Sequence, residues 1–239
     1  INGYLENETG LVLYLPFHDG EAVDYSPYGN DGTVYGATVD SSYTGVTNVP
    51  YRYRGWSALR FDGTNDYVGV ADDPSLDITN DITLAAWIYL EGWGENNYGR
   101  IIAKSGAYDF FVANSGSYIK TLGFRYGTKW KCASNNIIDL NEWWFVVFVK
   151  EGTTGTFYVN GESEGSITVS STLNVKDNDL QVGANTYLSG GRYFDGIIDE
   201  IRIYNRSLTQ EEVQALYRGE SVRDGLILYM PFENGEARD

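Results

Sequence analysis

The sequence predicts an all-β chain, a sandwich or barrel carrying one short helix near its C-terminal end. Apolar residues come in short runs rich in Val, Ile, Tyr, Phe and Trp, separated by Gly, Asn, Asp and Ser. The 239 residues include 28 Gly, 20 Tyr and 6 Trp but one Met and one His, a turn-rich, aromatic-rich composition suited to pleated, half-buried surfaces. Only residues 208–217 read as helix. All-β domains of 200 to 250 residues commonly form one unit, so length favours a single domain.

Strands are expected at 11–17, 33–37, 58–61, 67–70, 82–90, 101–104, 109–112, 121–126, 143–150, 156–159, 180–182 and 196–204. Asn160-Gly161 joins 156–159 to 163–168 as a two-residue hairpin, because both central residues of a type I′ turn need positive φ. In 208–217, Thr209 is placed to cap the helix, Glu211 and Glu212 suit its positive first turn, and Val213, Leu216 and Tyr217 form one apolar stripe. Gly219 follows as the stop signal.

An internal repeat sets the expected boundaries. The fifteen residues from Gly10 to Asp24 return from Gly225 to Asp239 with ten identities. Residues 10–218 are therefore read as one complete module, 1–9 as a leader or remnant of a preceding copy, and 219–239 as a linker and the first strand of a following copy. Neighbouring repeats in the same polypeptide are then expected partners.

Seventeen Lys and Arg against 33 Asp and Glu leave a net charge of −16, which repels phosphate backbones and anionic lipid heads. Nucleic acid is excluded as a natural partner. Excess acid fits solubility alone, cation binding, or a neutral polar ligand such as a glycan. No run of about 20 apolar residues suggests direct membrane insertion. Cys132 is the single cysteine, so no intramolecular disulfide can form, and it reads as an inert thiol in a strand.

Taken in order, several segments resemble the laminin-G-like jelly-roll family, related to the concanavalin A-like lectins and glucanases. The opening Leu11-Val-Leu-Tyr-Leu-Pro-Phe17 is followed by Asp24-Tyr-Ser-Pro-Tyr-Gly-Asn-Asp-Gly32, similar to the family's Asp-x-Ser-x-x-x-Asn-x-Gly loop. Ala58-Leu-Arg-Phe-Asp-Gly63, Asp66-Tyr-Val68, Ile82-Thr-Leu-Ala-Ala-Trp87, Asn141-Glu-Trp143, Phe157-Tyr-Val-Asn-Gly161 and the run from Phe194 to Arg206 complete the resemblance. It implies a two-sheet antiparallel β-sandwich, a jelly roll of the concanavalin A-like type, with Trp87 and Trp143 in packing positions. It also leaves function open, since a sandwich hosts binding modules, adhesins and enzymes alike.

Glucanases of this fold class hold two carboxylates on one strand, flanking the scissile bond about 5 Å apart. No Glu-x-Asp-x-Glu run occurs here, and in the nearest acidic group Asp199 and Glu200 are adjacent, which on a regular strand turns them to opposite faces. His18, the only histidine, is replaced by Glu233 in the repeat copy and is no required base. The chain is thus expected to be non-catalytic.

Loops rich in Asp, Asn and Gly supply the oxygens that calcium wants, and residues 24–32 form such a loop. The resemblance implies a structural Ca2+ held by side-chain oxygens of Asp24 and Asn30, a carbonyl at or near Gly32, and the Asp199 carboxylate. The alternative is that Asp24 and Asn30 make side-chain turns and Asp199 pairs with Arg202 or Arg206.

Glycans are bound by aromatic faces against sugar C–H groups with a few placed polar groups. Trp93, Tyr98, Trp130, Tyr187 and Tyr193, all expected in loops or at loop edges, are the candidates. The expected function is a carbohydrate-binding or adhesion module of an extracellular, cell-surface or virion protein, its partner a glycan or surface glycoprotein. A passive structural repeat and an accessory domain of a larger glycoside hydrolase are the alternatives.

Overall fold

In the computed structural model, which describes residues 8–41, 57–134, 136–222, 232–233 and 236–237, the expected strands assemble into two antiparallel sheets. In chain order they are β1 (Leu11–Leu15), β2 (Gly32–Tyr35), β3 (Thr38–Asp40), β4 (Ala58–Asp62), β5 (Tyr67–Val70), β6 (Ile82–Leu90), β7 (Arg100–Lys104), β8 (Tyr108–Ser115), β9 (Tyr118–Tyr126), β10 (Lys129–Cys132), β11 (Trp143–Glu151), β12 (Thr154–Val159), β13 (Glu162–Thr168), β14 (Leu180–Val182) and β15 (Asp195–Tyr204), then helix α1 (Gln210–Tyr217). One sheet runs β13-β12-β11-β6-β15-β4-β3, with β1 also paired to β15. The other runs β10-β9-β8-β7-β14-β5-β2. This is the all-β, two-sheet sandwich with one helix that the sequence predicts.

Two strands were not foreseen. β3 is three residues long, and β10, Lys-Trp-Lys-Cys, carries two charges in place of an apolar run. β1 ends at Leu15 because Pro16 has no N–H to give and Phe17 turns to φ 52°. Asn160 and Gly161 have φ of 52° and 85°, as the predicted hairpin turn demands. Thr209 Oγ1 accepts from Glu212 N at 3.3 Å while the Glu212 carboxylate accepts from Thr209 N at 2.8 Å, closing the capping box. The expected strand of a following copy falls mostly outside the described residues; within it, Phe232–Glu233 (β16) and Glu236–Ala237 (β17) pair with each other.

The core lies between the inner faces, where Phe124 of one sheet stacks on Phe148 of the other at 3.9 Å between ring centres. The eight-stranded sheet is covered on its outer face as well. There Trp87, Phe145 and Tyr204 are fully buried, Trp143 nearly so, and α1 lays Val213 and Leu216 on them while Tyr217 stacks over Trp87 at 5.7 Å. Burial of such side chains stabilises by about 1.5–3 kcal/mol each. The helix is therefore spent on one sheet, and the outer face of the other carries no helix among the described residues.

A bulge in β15 corrects one expectation. The register slips between Asp199 and Arg202, and Glu200 sits at φ 54°. Asp199 lies opposite Trp87 of the helix-covered face, and Glu200 accepts a hydrogen bond from Tyr14 of that same face at 2.8 Å. The extra residue thus puts both carboxylates on one side, where regular alternation would have separated them. Glu200 is fully buried and ion-paired to Arg202 at 2.7 Å, in a structural network rather than a cleft.

Candidate functional site

The open face of the seven-stranded sheet is built by alternation, broken in β7 where the register shifts between Arg100 and Ile102 and both Ile101 and Ile102 enter the core. Val68, Val70, Leu180, Val182, Ile102, Phe110, Val112, Leu122 and Phe124 point into the core, so their strand neighbours point out. Cross-strand pairing lines up one outward row, Gly69, Gln181, Ala103, Asp109, Arg125 and Trp130, from β5 to β10. Five strand spacings make this row about 24 Å long.

An aromatic platform stands at the β10 end. Trp130 is 40% exposed, and its ring meets Tyr118 at 4.8 Å, Tyr98 at 5.9 Å and Phe111 at 6.3 Å. It belongs to a strand rather than a loop, which fixes its direction. Phe111 can lie across the sheet because the residue beneath it on β9 is Gly123, where a Cβ would come within 2.3 Å of the ring. The Arg100 guanidinium packs over the Phe111 ring, 4.3 Å from its centre.

The middle of the row is polar and buried. Asp109 is 1% exposed; its Oδ2 accepts from Asn185 Nδ2 at 3.0 Å and Arg125 Nη1 at 3.3 Å and is ion-paired with Arg100, whose Nε lies 3.4 Å away. Burial pushes the Asp109 carboxyl up, against the two guanidiniums that favour its charge. Burial brings Arg100 down to about 10, opposed by Asp109 and reinforced by Arg125 and Arg192. Gln181 completes the centre, exchanging hydrogen bonds with the Thr186 backbone and hydroxyl at 2.8 and 2.9 Å. Every partner of the Asp109 side chain among the described residues is a cation or an amide, so its carboxylate is held by Arg100, Arg125 and Asn185.

At the opposite end Tyr35 stacks on Tyr67 at 4.6 Å. Burial raises the Tyr67 hydroxyl, and Tyr35, Tyr193 and Tyr187 raise it further. Tyr187 is 51% exposed. The structure brings Tyr98 and Trp130 together, while the Tyr193 carbonyl accepts from Glu95 N at 2.8 Å, beside the segment that carries Tyr98. Trp93 is instead partly buried and packs against the core.

A family model described as the concanavalin A-like lectin/glucanases superfamily matches residues 62–214, which include most of both sheets. The chain belongs to that superfamily. Domain 4 of an extracellular GH43 arabinanase from Geobacillus stearothermophilus, solved with arabinotriose, superposes with a TM-score of 0.67 at 18% identity, over 88% of this chain and 99% of that one. The binding domain of Paraclostridial Mosquitocidal Protein 1 gives 0.66 at 16% identity, over 88% of this chain and 52% of that chain. A putative carbohydrate binding protein from Bacteroides ovatus gives 0.55 at 18% identity, over 65% of this chain and 45% of that chain. This superfamily member spans about half the length of the latter two, and at such identities the likeness is one of fold. No curated protein sequence matches it.

The calcium set expected from the laminin-G-like resemblance takes another form in this superfamily member. Asp24 Oδ1 accepts from Tyr14 N at 2.9 Å and Ser26 N at 2.8 Å, and Oδ2 from Asn30 N and Ser26 Oγ, both at 2.7 Å. Four donors fill its lone pairs. Asn30 turns its amide nitrogen to Val12 O and Ser75 Oγ, and Gly32 N bonds Ala22 O at 2.7 Å. Asp199 lies on the helix-covered face of β15, opposite Trp87. Among the described residues no three His, Cys, Asp or Glu side chains form a group able to hold a metal. In this arrangement Asp24 and Asn30 serve the turn.

Sequence reasoning missed Arg100, Asp109, Arg125, Asn185 and Phe111. The signal was present: Asp109 and Arg125 are charges at outward positions of otherwise apolar strands, and cross-strand register alone makes them neighbours.

Proposed function

We propose that the protein is a non-catalytic glycan-binding module that takes an oligosaccharide along the open face of the seven-stranded sheet. The observation that carries this reading is Trp130, a large aromatic ring left 40% exposed yet held in place by Tyr118, Tyr98 and Phe111, beside a buried polar centre. A fixed aromatic face with adjacent hydrogen-bonding groups is the chemistry that recognises a sugar ring. The fold likeness to an arabinanase domain solved with arabinotriose and to a putative carbohydrate binding protein supports the same reading. Extracellular or surface placement accords with the extracellular arabinanase among those likenesses and with the absence, among the described residues, of any helix able to cross a membrane. The sequence repeat makes neighbouring modules natural partners, and such an array would serve adhesion by adding weak contacts together.

The test is a glycan array probed with the parent chain and with Trp130→Ala, each checked for folding by circular dichroism. Trp130→Ala should lose at least about tenfold in affinity, while Tyr28→Ala, which removes another exposed ring, should bind like the parent. Failure of the parent to bind any glycan, or full binding by folded Trp130→Ala, would overturn the proposal and favour a passive structural repeat.

A further inference from the structure

Three guanidiniums converge on the open face, in a chain whose net charge is −16. Arg100 and Arg125 both reach Asp109 Oδ2, and Arg100 Nη1 also holds Tyr98 O at 2.9 Å. Arg192 projects from the loop before β15, its guanidinium 5.5 Å from the Tyr98 ring centre. Arg125 and Arg192 lie close enough to Arg100 to disfavour its charge, which ties the three into one electrostatic group. Against them stand Asp109, which is buried, and Glu95, whose carboxylate accepts the Arg192 backbone N–H at 2.8 Å. The group is net positive.

Arg192 is placed with care. It is a non-glycine residue at φ 54°, a conformation that costs free energy unless its surroundings impose it. Its N–H is fixed by Glu95 and its carbonyl accepts from Arg100 N at 3.0 Å, so the backbone is pinned from both sides. No carboxylate pairs with its side chain among the described residues. Arg125 keeps a fifth of its side chain exposed, and its one ion-pair partner among the described residues, Asp109, is shared with Arg100. Guanidinium forks with spare donors beside an aromatic platform suit an anionic group that presents two oxygens side by side, which they meet with paired, charge-assisted hydrogen bonds.

Resting on the glycan-binding reading, we propose that the site selects acidic saccharides, the anionic substituent being met by Arg125 and Arg192 while a sugar ring packs on Trp130. Carboxylate and sulfate share this chemistry. Net repulsion from the rest of the chain makes the arginine group the determinant of whether an acidic ligand is admitted.

The experiment is isothermal titration of the full chain with matched pairs: oligogalacturonate and its methyl ester, sialyllactose and lactose, a heparin-type oligosaccharide and its desulfated form. At least one acidic member should bind about tenfold or more tighter than its neutral partner, and the preference should shrink as salt rises. Arg192→Gln, which leaves the Asp109 contacts untouched, should remove most of that preference, and Arg125→Lys should keep more of it than Arg125→Gln. Equal or tighter binding of the neutral member of every pair that binds would overturn acidic selection yet leave glycan binding standing. Binding to no member of any pair overturns acidic selection, and the glycan array above then decides whether glycan binding itself survives. A preference unchanged in Arg192→Gln and Arg125→Gln would also overturn the assignment, whatever sugar is bound.

Discussion

Asp24 shows how one carboxylate can replace a stretch of regular structure. It bonds the backbone of Tyr14, Ser26 and Asn30 and the hydroxyl of Ser26, tying β1 to a loop that has no ladder of its own. Removing it strands three buried or half-buried N–H groups, so Asp24→Ala should cost about 2–4 kcal/mol, read as a lower urea midpoint with unchanged slope. Because the same oxygens are already filled, calcium added to chelator-treated protein should leave the melting temperature unchanged. A calcium-dependent rise that Asp24→Ala abolishes would return the loop to cation binding, since only a ligand of the native state can produce it. Cys132 stands apart from such chemistry: burial pushes its thiol up to about 12, and it stays protonated near neutral pH.

At the scale of the strand, β9 carries the platform through an absence. Gly123 lets the Phe111 ring lie flat against the sheet, and Phe111 in turn supports Trp130. Gly123→Ala should cost about 1–3 kcal/mol from overpacking and should weaken glycan binding in the same variant, because the displaced ring carries Trp130 with it. Stability lost with binding intact would mean that Phe111 yields in some other direction. β9 also shows what could be read in advance. Its alternation of Leu122, Phe124 and outward neighbours announced a strand, as did the long apolar runs of β6, β11 and β15. β10 gave no such sign, because an edge strand of four residues with two lysines has the composition of a loop. Trp130 was consequently singled out as a ligand residue but assigned to a loop. The bulge at Glu200 was beyond reach for another reason: only the pairing with β6 reveals that one residue is extra there.

The whole sandwich has two outer faces with opposite fates, one sealed by α1 and one left open, and the sealed face holds a buried charge network. Glu200 accepts from Tyr14 and pairs with Arg202, whose guanidinium lies 4.2 Å from the Tyr14 ring centre. Beside them Glu8 accepts from the Tyr204 hydroxyl at 2.7 Å and from Val222 N at 3.0 Å, joining the chain entering the sandwich to the chain leaving it. Burial pushes the Glu200 carboxyl up, outweighing Arg202 and Tyr14, with Glu8 adding to the rise. A carboxyl whose folded pKa exceeds its unfolded value contributes stability that is complete below the ordinary carboxylate range, about pH 4, and is lost as pH rises through the raised value. Asp109 acts in the same sense. His18, held below its usual range chiefly by burial, acts oppositely and costs stability as pH falls below about 6.5. The parent profile is therefore a composite, and the difference between variants isolates the carboxyl. Glu200→Gln should lower the melting temperature at every pH, because it removes a buried partner of Arg202, and should do so least toward pH 8, where the parent has lost its Glu200 contribution. Melting curves of the two proteins from pH 4 to 8 measure that gap. A gap that widens with rising pH would show that Arg202 and Tyr14, not burial, control the Glu200 proton.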